Sequence, residues 1–207
     1  MTCPLCFHTG TFYYEDKKRS YLQCPNCQLV YVPEEFILSQ KEEKAEYDLH
    51  ENDPFDPGYR NFLGRVFAPI TTMLKTPASG LDFGCGPGPA LFHMFTEAGY
   101  TMSLYDYYYY PDKSTLNQQY DFVTCTEVIE HVTEPNPVFK TLFNCIREKG
   151  VLGIMTKLVQ DKEAFSQWHY KNDPTHIRFY SKETFEYIAK EFTKKIEFKN
   201  KDVILFS

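Results

Sequence analysis

The sequence lacks the features that would direct a protein to a membrane, to export or to a nucleic acid. No stretch approaches the roughly 18 apolar residues that a membrane span needs. The opening residues, MTCPLCFHTG, have neither the basic region nor the apolar core of a secretory signal. A net charge of −6 leaves no broad basic field, so nucleic acid is not favoured as a partner, although a local basic patch would be compatible with it. We therefore expect a cytoplasmic protein without membrane contact; the sequence does not indicate its oligomeric state.

Seven cysteines are present, but their number and placement do not suit a disulfide framework. The count is odd, and four of the seven occur in the first 27 residues as CPLC and CPNC. Two such pairs, 17 residues apart, are typical of a tetrahedral four-thiolate zinc site. Residues 1–33 are thus predicted to form a structural zinc ribbon whose ligands are Cys3, Cys6, Cys24 and Cys27. Two disulfides, a redox dithiol, or His8 in place of one cysteine are the alternatives.

The remainder of the chain divides into a helical connection and a region of alternating strands and helices. Residues 34–77 contain a charged, helix-friendly segment at 39–51 and an apolar helix at 59–74 with Pro69 as an expected kink. From residue 78 to 207 strands alternate with helices, which predicts βαβ units and a mostly parallel sheet covered on both faces.

Three details of this alternating region can be predicted from local signals. The helix that starts in PNPVF is expected to end at Gly150, and the helix in SKETFEYIAKEF to be capped by Ser181. The last two strands, KKIEFKN and DVILFS, lie so close together that they must pair as an antiparallel hairpin.

The stretch LDFGCGPGP, residues 81–89, places three glycines directly after a predicted strand. The carboxyl end of the first strand is where α/β sheets bind ligands. The stretch departs from the dinucleotide fingerprint because its third glycine would fall at Pro89, and Asp82 would repel a pyrophosphate. Asp106, 22 residues after Gly84, ends the second strand, where an acid hydrogen-bonds ribose hydroxyls. A nucleoside with a cationic tail, such as S-adenosylmethionine, fits both acids.

Residues 78–207 resemble the class I S-adenosylmethionine-dependent methyltransferases. The resemblance rests on LDFGCGPG, the acid that ends SLYD, YDFVTCTEVIEHV and GVLGIMT. The whole chain is similar to a group of bacterial methyltransferase-domain proteins, and zinc ribbons also precede some ribosomal RNA methyltransferases. The resemblance implies an α/β fold with a Rossmann-like sheet, a reversed C-terminal hairpin and S-adenosylmethionine as the cofactor. The cofactor-binding residues that it implies are Asp82, Gly84, Cys85, Gly86, Gly88, Tyr105, Asp106, Thr126 and Glu127.

One connection is shorter than this fold usually requires. Asp121 follows Asp106 by only 15 residues, too few for the usual helix, strand and helix. We therefore predict that the third strand is missing. The adenine pocket must then be built differently, and the tyrosines at 105 and 107–110 are candidates for it; their alternative role is core packing and cover for a sheet edge.

The stretch EVIEHV brings acids and a histidine together. Glu127, Glu130 and His131 are spaced i, i+3 and i+4, which would put them on one face of a helical turn. The stretch resembles one in ubiquinone-pathway and small-RNA 2′-O-methyltransferases, where it implies metal-assisted transfer and a further histidine; His176 or His169 offers that histidine here. Three interpretations stay open: a Mg or Mn site, a metal-free acid–base group, or a structural turn. The predicted catalytic residues are Glu127, Glu130, His131 and His176.

These patterns predict methyl transfer from S-adenosylmethionine to an unidentified hydroxyl or amine acceptor, either a small molecule or a macromolecule. An NAD(P)-dependent oxidoreductase is disfavoured by Pro89 and Asp82. A zinc-ribbon interaction protein with an inactive nucleotide fold is disfavoured by the intact glycines. The connection that holds Trp168 and Tyr170 is either a substrate lid or a buried anchor, and the ribbon either docks a macromolecule or braces its own chain.

Overall fold

The computed structural model describes residues 1–49 and 53–207, which fold into two sheets flanked by helices. Residues 50–52, where the charged segment meets the following loop, lie outside the described residues. The strands are β1 (Thr11–Glu15), β2 (Ser20–Gln23), β3 (Val30–Tyr31), β4 (Ser79–Phe83), β5 (Thr101–Tyr105), β6 (Tyr120–Thr126), β7 (Ile146–Met155), β8 (Arg178–Phe179), β9 (Ile196–Lys199) and β10 (Val203–Phe206). The helices are α1 (Gln40–Tyr47), α2 (Pro57–Met73), α3 (Ala90–Glu97), α4 (Pro135–Asn144), α5 (Lys162–Gln167) and α6 (Lys182–Glu191). Within the described ranges, no helix is long and apolar enough to cross a membrane.

The larger sheet has the order β5-β4-β6-β7-β10-β9. The first four strands are parallel, whereas β10 runs antiparallel to both β7 and β9, as the predicted hairpin requires. Between β5 and β6 the chain forms an isolated bridge between Asp106 and Tyr110 and a short 3-10 turn, Lys113–Asn117, but no strand, so the predicted loss of the third strand is confirmed. The fold class is therefore the predicted α/β Rossmann-like sheet with a reversed C-terminal hairpin.

Helices cover both faces of the larger sheet because each has an apolar stripe. On one face α2 and α3 pack Val66, Ile70 and Phe95 against the sheet residue Phe122. On the other face α4 and α6 contribute Phe139, Leu142, Phe185 and Ile188. Ser181 accepts a hydrogen bond from the backbone N–H of Thr184, which confirms the predicted cap of α6. Helix α2 continues through Pro69.

The predicted end of α4 is wrong. The helix stops at Asn144 and β7 already begins at Ile146, so Gly150 lies inside a strand. A side chain at Gly150 would stand 2.8 Å from the carbonyl oxygen of Asp121, which makes glycine necessary for the close approach of two strands. The helix-friendly residues 147–149 are extended in an irregular part of the ladder, between the pairs Tyr120–Ile146 and Phe122–Val151, so the strand pairing on either side overrides their local preference.

The smaller sheet joins the N-terminal strands to the connection that follows β7. Strands β1, β2 and β3 form an antiparallel unit next to the four cysteines, and β3 then pairs with β8, which follows β7 by more than 20 residues. Tyr31 faces Arg178 and Val30 faces Phe179 in this pairing. Residues 1–33, which we call the cysteine module, are thus joined by strand pairing to the connection that follows β7. The division into residues 1–33, 34–77 and 78–207 stays a prediction.

Candidate functional site

The glycine loop follows β4 and is bound to the end of β5. The backbone N–H of Gly84 donates to the carbonyl oxygen of Tyr105 at 2.7 Å, and that of Gly86 donates to Oδ2 of Asp106 at 2.9 Å. Both glycines have a positive φ, +73° and +63°, which side chains disfavour. A Cβ at Gly84 would overlap Val128, whereas at Gly86 it would meet no atom of residues 1–49 or 53–207 within 4 Å. The backbone therefore borders an opening at Gly86.

Two acids stand at this loop in different surroundings. Asp106 accepts hydrogen bonds from the backbone N–H groups of Tyr108 and Tyr109 through Oδ1, at 2.8 and 3.0 Å. Asp82 is buried and accepts a hydrogen bond from the hydroxyl of Thr124 at 2.8 Å. Burial raises the pKa of Asp82 to about 7, against the hydrogen bond from Thr124 and with help from the Asp106 charge. A cation bound nearby would offset this cost, so the acids fit a nucleoside with a positively charged tail.

The tyrosine cluster after Asp106 is tied to α1 and is not part of the core. The hydroxyl of Tyr108 donates to Glu43 at 2.5 Å, and that of Tyr109 donates to Asp48 at 2.7 Å. Tyr107 is exposed over 56% of its surface, which contradicts core packing for this residue. The cluster thus places α1 beside the edge that the glycine loop forms.

The acids of EVIEHV do not share the predicted helical face. Glu127 has a positive φ of +51°, and only Ile129–His131 forms a 3-10 turn. The two carboxylates are nevertheless joined, because the hydroxyl of Tyr170 donates to Glu130 Oε1 at 2.5 Å and lies 3.4 Å from Glu127 Oε2. Tyr170 is therefore a buried anchor, one of the two roles considered for its connection.

Burial dominates the electrostatics of these carboxylates. It raises the pKa of both Glu127 and Glu130 well above the ordinary range, and the charge of Glu127 raises that of Glu130 further. Oε1 of Glu127 and Oε2 of Glu130 have no hydrogen-bond partner among the described residues. Buried polar atoms are normally paired, so an unpaired carboxylate oxygen indicates a place where a ligand, a proton or an ion is accommodated.

Two histidines complete this group, which we call the acid–histidine face (Glu127, Glu130, His131 and His176). The rings of His131 and His176 lie 4.6 Å apart between centroids. Each Nδ1 lies within hydrogen-bond distance of a carbonyl oxygen, at 3.2 Å from Thr175 and at 2.7 Å from Tyr170. A carbonyl only accepts, so Nδ1 carries the hydrogen and Nε2 is the basic atom of each neutral ring.

The ligand atoms of Glu130, His131 and His176 all lie within 4.8 Å of one another, a spacing that could hold a metal ion. Burial lowers the pKa of His176, although the nearby Asp173 carboxylate opposes this effect. A neutral histidine can act as a base or as a metal ligand. His169, the other histidine candidate, is exposed and lies outside this group, with its Nε2 at 3.3 Å from Nζ of Lys157.

The four cysteines of the N-terminal module converge on one point. The Sγ atoms of Cys3 and Cys27 are 3.6 Å apart, those of Cys6 and Cys24 are 3.3 Å apart, and all four lie within 4.8 Å of one another. A tetrahedral zinc with bonds of about 2.3 Å separates its sulfurs by about 3.8 Å, whereas a disulfide bond measures about 2.05 Å. The cluster therefore fits a zinc site. The ring of His8 is turned away to the carbonyl oxygen of Cys6.

The sequence profile of one family, described as a methyltransferase domain, matches residues 57–193, more than half of the chain. The chain belongs to this methyltransferase family. Its membership confirms the prediction of a class I S-adenosylmethionine-dependent methyltransferase and disfavours the oxidoreductase. No curated protein matches the chain.

Solved structures similar to this methyltransferase share its fold at low sequence identity. A 1,6-didemethyltoxoflavin-N1-methyltransferase from Burkholderia thailandensis, with bound 1,6-didemethyltoxoflavin and S-adenosylhomocysteine, is 13% identical, with a TM-score of 0.51 over 94% of this chain and 96% of that chain. A SAM-dependent methyltransferase from Archaeoglobus fulgidus is 18% identical, with a TM-score of 0.52 over 67% and 72%. An O-methyltransferase family protein from B. thailandensis is 11% identical, with a TM-score of 0.51 over 83% and 60%.

Two tyrosines of the methyltransferase stand beside the site but carry no signal in the sequence. The ring of Tyr47, at the end of α1, contacts that of His131 at 5.4 Å between centroids. Burial and the charges of Asp82 and Glu127 raise the pKa of Tyr59, in α2, to about 12. Both occur in segments whose pattern predicts only a helix, so their proximity to the site depends on tertiary packing.

Proposed function

We propose that this methyltransferase transfers the methyl group of S-adenosylmethionine to a hydroxyl or amine acceptor bound at the acid–histidine face. The observation that carries the proposal is the buried Glu130, whose Oε2 has no partner among the described residues and which stands beside two histidines. The turn that holds it is adjacent to the glycine loop, since Val128 packs against Gly84. When bound, the cofactor supplies an electrophilic methyl group on a sulfonium.

The residues of the face would orient the acceptor and accept its proton. Holding a nucleophile in line with its target can contribute about 7–11 kcal/mol to lowering the barrier. Nε2 of His131 or His176 is the basic atom that takes the proton, and a positioned base contributes roughly 10²–10⁴-fold. Tyr170 fixes Glu127 and Glu130 through its hydroxyl, so the carboxylates keep their places when an acceptor binds.

The glycine loop and the ends of the neighbouring strands would hold the cofactor. The opening at Gly86 admits a ligand close to the backbone. Oδ2 of Asp106 accepts one hydrogen bond, from Gly86, which leaves a lone pair for a ribose hydroxyl. The proposed contacts are those predicted from the sequence: Asp82, Gly84, Cys85, Gly86, Gly88, Tyr105, Asp106, Thr126 and Glu127.

Isothermal titration tests this function directly. The purified chain should bind S-adenosylhomocysteine and not NADH, and a screen of phenols, quinols, amines and RNA with labelled S-adenosylmethionine should identify the acceptor class. Binding of NADH alone would restore the oxidoreductase interpretation. No binding of either ligand would favour an interaction protein.

Asp106→Ala should weaken S-adenosylhomocysteine binding roughly 5- to 150-fold, since it removes about 1–3 kcal/mol of hydrogen bonding to a charged group. Part of this loss comes from the loop, because Gly86, Tyr108 and Tyr109 lose their common acceptor. Asp112→Ala, which removes an exposed acid from the same connection, is the matched control and should bind normally. An unchanged affinity in Asp106→Ala would move the ribose contact elsewhere.

A divalent ion at the face is the second candidate mechanism. Glu130, His131 and His176 provide one carboxylate and two imidazoles. A carboxylate suits Mg and Mn ions, whereas imidazoles suit ions such as Zn, Fe or Ni. If an ion is held there, it would lower the pKa of a hydroxyl acceptor. Turnover would then stop with a chelator and return with Mn or Mg, and the zinc content must be followed in the same samples.

Glu130→Gln, His131→Ala and His176→Ala should each lower methyl transfer to the acceptor found in the screen, by roughly 10²–10⁴-fold for the residue that acts as the base. His169→Ala is the matched control, because it removes an exposed histidine of the same connection that lies outside the face. Initial rates at saturating S-adenosylmethionine measure the effect. Full activity in all three variants would make the face structural.

A further inference from the structure

The tip of the β1–β2 hairpin touches the segment that carries the acid–histidine face. Residues 168–177, the active-site segment, include Tyr170 and His176 and lie between α5 and β8. The guanidinium of Arg19 donates to three main-chain carbonyl oxygens of this segment: to that of Lys171 at 2.5 Å, of Asp173 at 2.9 Å and of Pro174 at 3.3 Å. These acceptors lie between the two functional residues along the chain.

Arg19 is buried, with 7% of its surface exposed, and its own orientation is fixed by its neighbours. Its Nε donates to the hydroxyl of Tyr21 at 3.0 Å, and that hydroxyl donates to Asp16 at 3.1 Å. Asp16 also pairs with the buried ammonium of Lys171 at 2.8 Å. A planar guanidinium is suited to this arrangement because it offers five donors in a rigid plane, whereas an ammonium cannot reach three carbonyls in this pattern.

The segment held in this way is also the one that sets the face. The carbonyl oxygen of Tyr170 accepts the Nδ1 hydrogen bond of His176, and the hydroxyl of Tyr170 reaches Glu130 and Glu127. At the end of the segment, the N–H of Ile177 donates to the carbonyl oxygen of Glu130 at 2.9 Å. The carbonyl oxygen of Ile177 accepts from Val32 of the cysteine module. A shift of this segment would therefore move both the phenol and the imidazole relative to the carboxylates.

We propose that Arg19 is a positioning residue for methyl transfer: the hairpin of the cysteine module holds the active-site segment so that Tyr170 and His176 meet Glu127 and Glu130. The proposal rests on the proposed function only for its effect on rate. We call the three hydrogen bonds from Arg19 to the segment the clamp. The clamp is expected to stabilise residues 168–177 locally, whatever reaction the site performs. It also assigns the module a role within its own chain, as a brace for the site.

Hydrogen–deuterium exchange of the 207-residue chain, whose zinc content is assayed in the same samples, tests the hydrogen bonds from Arg19 without an acceptor. In Arg19→Ala the amides of residues 168–177 should exchange at least about tenfold faster, because local opening no longer breaks three hydrogen bonds. Arg19→Lys should restore part of the protection. Trp168, the single tryptophan of the chain, provides a second signal. Acrylamide should quench its fluorescence more strongly in Arg19→Ala, because the indole ring becomes more accessible.

Two matched controls separate positioning from general destabilisation. Lys18→Ala removes an exposed cation from the same turn, and Leu22→Ala removes an apolar side chain of β2 that packs against the cysteine core. Neither should selectively accelerate exchange in the segment. The proposal would be overturned if amide exchange in Arg19→Ala became equally faster throughout the protein, or if it did not become faster in residues 168–177.

Binding and turnover then connect the clamp to function. Arg19→Ala should keep the wild-type affinity for S-adenosylhomocysteine, while kcat with the acceptor from the screen falls on the order of 10- to 100-fold. An intact kcat in a variant with a loosened segment would refute the positioning role. Failure of the wild type to bind S-adenosylhomocysteine would instead refute the proposed function and leave the exchange result to decide on the clamp.

Discussion

We expect Cys24→Ser to abolish zinc binding at the four-cysteine cluster and to unfold the cysteine module. Protein purified without added metal should contain about one zinc per chain, as expected for a closed four-thiolate site, and the variant should contain none. Structural zinc contributes about 10–16 kcal/mol in apparent terms to small modules. We expect the variant to lose more than about 4 kcal/mol of unfolding free energy, and its melting temperature to fall by roughly 8–16 °C.

Cys145→Ser is the matched control for this experiment. Cys145 is equally buried, but it lies outside the four-cysteine cluster, between α4 and β7, where its Sγ contacts the carbonyl oxygen of Leu116, an acceptor that a serine hydroxyl can also reach. This variant should retain its zinc, as measured by elemental analysis. A zinc content near zero in the wild type, with all four N-terminal thiols freely reactive, would contradict the zinc assignment.

Gly84→Ala should be the most damaging single change in the glycine loop. The new Cβ would stand 2.3 Å from Val128, in a residue that also has a φ of +73°. Overpacking costs about 1–3 kcal/mol and the left-handed backbone about 1–2 kcal/mol, so the free energy of unfolding should fall by about 2–5 kcal/mol. Since Val128 lies in the turn that carries Glu130, S-adenosylhomocysteine binding and methyl transfer should both be lost.

Gly86→Ala separates the effect of backbone strain from the effect of the clash with Val128. It imposes a similar backbone strain at a φ of +63°, but its Cβ meets no atom of the described residues within 4 Å. It should therefore be less destabilising than Gly84→Ala in thermal melts, while titration should reveal weaker S-adenosylhomocysteine binding because the Cβ enters the opening. Equal melting temperatures for the two variants would mean that Val128 moves aside easily.

The parts of the fold that were predictable from the sequence depend on local signals. The glycine loop, the cap at Ser181 and the short connection after Asp106 each specify their structure within a few residues. The end of α4 was not predictable, because residues 147–149 have helical preferences and are extended only between the pairs that join β7 to β6 on either side of them. The twist of EVIEHV into a 3-10 turn likewise follows from packing of Val128 on Gly84 and from the bond between Ile177 and Glu130.

The site divides in the same way. Glu130 and His131 are neighbours in sequence, and their role as candidates was visible there. The sequence marked the connection that holds Tyr170 as a lid or an anchor, but no spacing rule connects Tyr170 to Glu130, 40 residues away. Arg19, which contacts the carbonyl oxygens of residues 171, 173 and 174, carried no signal in the sequence. Contacts of this kind become recognisable only when burial and hydrogen-bond partners are known.

The pairing of β3 with β8 has a consequence for how the chain is made. Because Tyr31 pairs with Arg178, almost 150 further residues have to emerge from the ribosome before the smaller sheet can be completed. At about 5–20 residues per second this interval lasts roughly 8–30 s. During that time the β1–β2 hairpin and the four cysteines that flank it are already available, so metal capture can precede closure of this long loop. We therefore expect biosynthesis in zinc-depleted medium to produce chains in which the larger sheet is folded but β8 has no partner strand. The exposed edge of β8 would then favour aggregation.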